Sequence, residues 1–314
     1  MEKLSFVIPC YGSELTINDV LDEIHEVMAR KPDYDYEIIC VNDYSPDNVL
    51  DVLIKRAKND KRIVVADLTK NVGKASAVLA GYSIVSGDYV INLDDDGQCP
   101  LDELWSLFAP VLEGKDAVYA AYTKKKQSVI KNFGSQVDSL MAYHLIGKPK
   151  GMKTSNFSVV RRYVADEIKQ YRHAYPYLSG LVIKATSNVT NVTMEERERP
   201  IGRGNFTFRK SFSLWMNGFT AFSVIPLRIS TIIGSFSAIA GFVYGATIIV
   251  RRLFINPDMV LGYPSLMSAI LFVGGMIMLM LGMLGEYVGR IYINQSSLPQ
   301  YTIREIVRGG EHDN

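Results

Sequence analysis

The chain has 314 residues, 48% of them hydrophobic, with a formal net charge of +1, which is long enough for more than one domain and a sizeable core. So even a balance excludes the strongly basic footprint of a nucleic-acid binder, and any electrostatics that matter must be local. Its three cysteines are odd in number and form no C-x-x-C pair, and its four histidines are scattered, which excludes a disulfide framework and a clustered zinc site and suits reduced thiols in a cytoplasmic domain.

The opening stretch, MEKLSFVIPCYG, moves from charge straight into an apolar run, without the long h-region and cleavage site of a secretory signal. From Leu4 to about Tyr122 short apolar runs, LSFVIP, YEIICV, RIVVADL and DYVINL, alternate with segments of helical spacing such as Ile17 to Met28 and Ala75 to Val85. Continuous apolar strands alternating with helices predict a mostly parallel sheet covered on both faces. Ligands of such sheets bind at the carboxyl ends of the strands. The residues just after each strand are therefore the candidates: Pro9, Tyr11 and Glu14; Asn42, Asp43 and Ser45; Asn71 and Lys74; and the run Asp94 to Gln98.

The first turn, PCYGSE, lacks G-x-G-x-x-G, and NVGKAS lacks the upstream glycine of a P-loop, so dinucleotide redox and P-loop hydrolysis lose their usual signatures. The triplet Asp94, Asp95 and Asp96 needs an explanation, since adjacent carboxylates disfavour one another's ionisation. Asp94 and Asp96, two apart on an extended segment, point to one side. A hard divalent cation, Mg2+ or Mn2+, takes carboxylate, water and phosphate oxygens and would offset the repulsion.

Further along, Ile229 to Val250 carry no charge, enough at ~1.5 Å per residue to cross a hydrocarbon core of ~30 Å. A second uncharged run, Met259 to Gly285, has room for another span. Two spans return the chain to its starting side. RKSFSLWMNGFTAFSVIPLR, just before the first span, has the basic and aromatic character of an interfacial helix.

The segments FVIPCYGSE, VNDYSPD, NVGKASAVLAGYSIVSGDYVINLDDDGQCP and RERPIGRGNFTFRK followed by FSVIPLR resemble family 2 glycosyltransferases of the membrane-anchored group that includes dolichol-phosphate mannose synthases and bacterial polyprenyl-phosphate glucosyltransferases. The resemblance implies an α/β GT-A domain, Rossmann-like with a mostly parallel sheet, followed by two transmembrane helices. The expected boundaries are a cytoplasmic catalytic domain at 1–208, an interfacial helix at 209–228, a two-helix transmembrane region at 229–290 and a cytoplasmic tail at 291–314. The protein is then integral to the inner or plasma membrane.

Carried over by resemblance, Pro9, Tyr11, Glu14, Asp43, Lys74 and Asp94 bind the nucleotide, while Asp96 and Gln98 hold the metal. Asp94, Asp96, Gln98 and Arg199 form the catalytic set. Lys131, Ser135, Arg197 and Arg199 hold the lipid phosphate, with Lys124 to Lys126 as an alternative basic run. The chain departs from the family pattern at Asn42 (usually Asp), Tyr44 (usually Gly), Gly97 (often apolar) and Gly204 (commonly Ser).

The implied reaction is inverting transfer of a hexose, with UDP-glucose as first choice of donor, to polyprenyl (undecaprenyl) phosphate, in the assembly of cell-envelope polysaccharide. A phosphate monoester with second pKa about 6 is already ionised at neutral pH, so no strong general base is required. The alternative is a membrane-tethered transferase with a non-lipid glycan or protein acceptor. A processive synthase would carry Q-x-x-R-W, which does not occur. The small residues of GGMIMLMLGMLG suit helix packing and, with it, a homo-oligomer.

Overall fold

The computed structural model describes residues 1–122, 151–172, 176–197, 225–254, 262–295 and 299–310. They fall into two units: one holds the described residues before 215 and after 297, and the other those between 216 and 296.

The first unit is an eight-stranded sheet. Its strands are β1 (Lys3–Cys10), β2 (Asp35–Asn42), β3 (Ile63–Leu68), β4 (Tyr89–Asn92), β5 (Ala117–Tyr122), β6 (Ser158–Arg161), β7 (Val189–Met194) and β8 (Ile303–Arg308). The order across the sheet is β7-β5-β6-β4-β1-β2-β3-β8. β3, β2, β1 and β4 run parallel, as the continuous apolar runs predict for strands buried on both faces. β6 and β8 join antiparallel.

Helices α1 (Ile17–Ala29), α2 (Val49–Asn59), α3 (Lys74–Tyr82), α4 (Leu104–Leu112), α5 (Arg162–Ile168) and α6 (Leu178–Ala185) accompany this sheet. α1 buries Ile17, Val20, Leu21, Ile24, Val27 and Met28, the stripe that 3.6-residue periodicity places on one face. α3 lies so close to the strands that a Cβ at Gly81 would run into Val7 and Val41. The core includes fully buried Phe6, Phe108 and Phe157, each contributing ~1.5–3 kcal/mol by leaving water.

β8 corrects the expected separate tail. Residues after the second long helix return as an edge strand on β3, with Val65 opposite Val307 and Leu68 opposite Ile303. IREIVR is exposed or only partly buried throughout, with too short an apolar run to announce a strand by sequence alone.

The second unit holds two long helices, α7 (Ile225–Phe254) and α8 (Tyr263–Gln295), where two apolar spans are expected. Within α8, Phe272–Gly289 is long and apolar enough to cross a bilayer and none of it is buried, whereas α7 offers a shorter apolar stretch, Thr231–Thr247. Phe236, Phe242 and Phe272 are 74%, 78% and 62% exposed, more apolar surface than water tolerates in a monomer. Gly234 of α7 lies against Met280 of α8, the close approach that small residues permit. The expected interfacial helix lies outside the described residues from 209 to 224.

Candidate active site

The parallel registers set Cys10 opposite Asn42 and Asn42 opposite Asp67, so the ends of β1, β2 and β3 share one edge with the tip of β4. Four loops meet there, and they are laced by side chains rather than by backbone pairing.

Each carboxylate of the acidic triplet has its own partners. Asp94 takes the ammonium of Lys74 and the Asn156 amide at 3.1 Å. Asp95 turns the other way: its carboxylate accepts the Tyr11 N–H at 2.9 Å, and its carbonyl accepts the Thr16 hydroxyl at 2.6 Å. Asp96 accepts the Gln98 N–H at 3.1 Å. Burial pushes the Asp95 carboxyl up, against the Tyr11 N–H, and the fields of Asp94 and Asp96 add to the rise. Gly97 has φ 72°, a left-handed turn that glycine adopts without a Cβ penalty. This accounts for glycine where an apolar residue often follows.

The first two loops hold one another. Gly12 N–H donates to Ser45 Oγ at 2.8 Å, Glu14 N–H to Asp47 Oδ2 at 2.9 Å, and Asn48 N–H to Glu14 Oε2 at 3.2 Å. Asp43, only 3% exposed, anchors the third loop. It accepts Val72 N–H at 2.7 Å, Gly73 N–H at 3.0 Å and Asn71 Nδ2 at 3.1 Å. A carboxylate has about four lone-pair positions, so roughly one acceptor site is left for a ligand. Burial pushes the Asp43 carboxyl up despite the Val72 and Gly73 N–H groups.

Arg197, three residues beyond β7, joins this edge through Gln98. Its guanidinium bonds Glu23 at 2.7 and 3.0 Å and also pairs with Asp102. Its backbone N–H donates to the Gln98 carbonyl at 3.2 Å, and Gln98 Nε2 returns a bond to the Arg197 carbonyl at 3.3 Å.

Residues 5–169 match the family described as Glycosyl transferase family 2, a span that covers the whole laced edge except Arg197 and β8. The chain belongs to family 2 of the glycosyltransferases. Residues 225–291 match the GtrB C-terminal hairpin, which takes in α7 and most of α8. The chain is 33% identical over 309 residues to the SfII prophage-derived bactoprenol glucosyl transferase of Shigella flexneri, covering 98% of this chain and 99% of that protein. It is 29% identical to the undecaprenyl-phosphate 4-deoxy-4-formamido-L-arabinose transferase of Yersinia enterocolitica, covering 100% and 96%. Among solved structures, glucosyl-3-phosphoglycerate synthase from Mycobacterium tuberculosis, in complex with Mn2+ and UDP-glucose, aligns with a TM-score of 0.52 at 19% identity over 70% of this chain and 77% of that one. That likeness bears on the fold.

Within this family 2 domain the structure brings Tyr11, Glu14, Asp43, Lys74, Asp94, Asp96, Gln98 and Arg197 to one edge, with Pro9 buried in β1 beneath them. Three of them already carry partners within the protein. Asp43 serves largely to hold the 71–73 loop. Glu14 is engaged with Asn48. Arg197 pairs with Glu23 on α1 and with Asp102, with its side chain still 36% exposed. Lys131, Ser135, Arg199 and Lys124 to Lys126 lie outside the described residues. Sequence reasoning missed Asn156, Asp47, Thr16 and Glu23. Asn156 sits two residues before β6, and only the antiparallel pairing of Asn92 with Ser158 shows that it reaches Asp94.

Among the described residues no three His, Cys, Asp or Glu side chains converge as a metal cage. Asp94 and Asp96 supply hard oxygens at a half-exposed edge. That donor set fits Mg2+ or Mn2+, which bind through one or two carboxylates plus substrate phosphates and water.

Proposed function

We propose that the enzyme transfers a hexose, with glucose from UDP-glucose as first choice, to polyprenyl phosphate at a membrane surface, inverting the anomeric centre. One juxtaposition supports this reading most. A family 2 domain with an acidic, cation-paired tip is joined on the same chain to an apolar hairpin, and the relatives that span both are named for bactoprenol and undecaprenyl phosphate.

Asp94 and Asp96, with Gln98 through its amide oxygen, would hold the divalent ion, which when bound stabilises the leaving diphosphate as a Lewis acid. Lys74 balances Asp94 until the anionic donor arrives and then serves the phosphates. Tyr11 and Glu14 line the nucleoside side of the edge. The Gln98–Arg197 clasp and the Glu23 and Asp102 carboxylates orient the segment leading toward Arg199, which we assign with Lys131 and Ser135 to the acceptor phosphate. Holding two anionic reactants in line is where such positioning lowers the barrier.

The return of the chain as β8 supports two membrane crossings. β8 pairs with β3 in the same sheet that precedes α7, so a chain that enters a bilayer between them would have to return to the side it left. If α8 spans, α7 would span with it, its shorter apolar stretch met by local thinning of the bilayer and by flanking residues that reach to the interface.

The test is to incubate detergent-purified protein with undecaprenyl phosphate, Mg2+ or Mn2+ and radiolabelled nucleotide sugars, with Asp96→Ala as control. The expected result is metal-dependent label that partitions into organic solvent and is lost in the variant. Label confined to water-soluble product would replace this reading with a tethered transferase acting on a non-lipid acceptor.

A further inference from the structure

β8 does more than blunt a sheet edge. Between Asp67 and Leu68 the register with β8 shifts: Leu68 faces Ile303 and Asp67 faces Glu305. Arg304 is therefore the extra residue of a β-bulge, a device that re-aims one side chain. The pairing reaches past the end of β3, where Thr69 N–H donates to the Thr302 carbonyl at 3.0 Å, so the bulge sits at the carboxyl edge where the site loops emerge.

Arg304 Nη1 meets Asp67 Oδ2 at 3.0 Å, with the Arg304 side chain 51% exposed. Asp67 in turn accepts the Asn42 amide at 2.8 Å, one residue from Asp43. The rest of the Arg304 guanidinium lies beside the Tyr44 ring, 5.9 Å from its centroid. Tyr44 is the one described non-glycine residue with positive φ, 51°, and the residue is 54% exposed. A bulky side chain is strained in that conformation, yet the chain keeps an aromatic there instead of a glycine and holds it out from the loop that follows β2.

We propose that Tyr44 and Arg304 form the nucleobase wall of the donor site, Tyr44 by stacking on the base and Arg304 by donating to a base carbonyl. This rests on the nucleotide-sugar reading above and deepens it, since the two residues then supply contacts to the base of the donor. An exposed aromatic face gives stacking to any base, and a guanidinium held by one carboxylate keeps N–H donors that suit the carbonyls of uracil or guanine. Arg304 follows the hairpin in sequence, so the segment beyond the membrane helices completes the site that precedes them.

The simpler role for Arg304, neutralising buried Asp67, is separated by two full-length variants. Tyr44→Gly relieves the backbone. The double variant Asp67→Asn/Arg304→Met removes the ion pair as a unit. Calorimetric titration in detergent with Mg2+ would use UDP, GDP and inorganic pyrophosphate, alongside thermal unfolding. The expected result is unfolding at or above the wild-type temperature for Tyr44→Gly and close to it for the double variant. The favoured nucleotide should bind on the order of tenfold more weakly to each, with pyrophosphate, which has no base, bound as in wild type. Unchanged nucleotide affinity in both variants, or an equal loss for pyrophosphate, overturns the proposal. Wild-type protein that binds neither nucleotide removes the donor reading itself.

Discussion

The two edges of the central sheet each bury a carboxylate of β2 or its end, and they treat it in opposite ways. Near the amino edge Glu37 is 6% exposed, and near the carboxyl edge Asp43 is 3% exposed, so depth of burial does not separate them. Glu37 accepts Ser5 Oγ, Ser86 N–H and Ser86 Oγ at 2.6 Å each and pairs with Lys3 at 3.0 Å. Burial opposes its charge, but these donors outweigh it and hold the carboxyl below its usual range. Asp43 has only neutral amide donors, and burial wins. One edge is satisfied from within; the other is left electrostatically incomplete, which is what a site awaiting cations and a charged substrate requires.

The sharpest test of that contrast exchanges activity for stability. Asp96→Asn keeps an acceptor for the Gln98 N–H but loses the charge that would face a metal. Transfer to lipid should fall on the order of 10^2- to 10^3-fold, while thermal unfolding stays close to wild type. Glu37→Gln should do the reverse. Leaving donors of a buried network mismatched costs about 1–3 kcal/mol, an unfolding temperature lower by roughly 2–10 °C, with kcat retained. A Glu37 variant that lost activity without losing stability would break the comparison.

A smaller effect is expected where the two behaviours meet. Arg197 is fully paired, as at the amino edge, yet it belongs to the carboxyl edge through Gln98. Arg197→Met should lower kcat roughly tenfold by loosening the segment that leads to the acceptor side, with KM for the nucleotide sugar unchanged. A rise in nucleotide KM instead would place the guanidinium on the donor phosphates.

Much of this was legible in the chain itself. The runs LSFVIP, YEIICV, RIVVADL and DYVINL became β1 to β4 because strands covered on both faces are apolar throughout, and the tips of those strands carry the candidate site. The run DDDGQ announced an acidic edge. What stayed hidden is whatever depends on contacts distant in sequence. IREIVR has no continuous apolar run, so β8 is visible only through its pairing with β3. Asn156 gains meaning from β6 lying beside β4. Nothing local to Arg197 shows that Glu23, on α1, pairs with it. Tyr44 read as a mere departure from glycine until its φ and its neighbour Arg304 were seen.

Acid should separate the two edges in order. Asp43, with its pKa raised, favours the protonated form. Its contribution to stability is complete below the unfolded carboxylate value and is lost as pH rises through the folded one. Glu37, with its pKa lowered, contributes above the unfolded value and loses that contribution only as pH falls through a still lower one. On acidification from neutral pH, Asp43 therefore takes its proton first. A neutral carboxyl is a weaker acceptor for the 71–73 loop and for a base N–H, while the amino edge is still intact. Nucleotide affinity should consequently decline at a higher pH than the circular-dichroism signal of the fold. In Glu37→Gln the unfolding transition should change while the pH of half-maximal nucleotide binding stays where it was. If both transitions moved together, the edges would be one cooperative electrostatic unit and the distinction between them would fail.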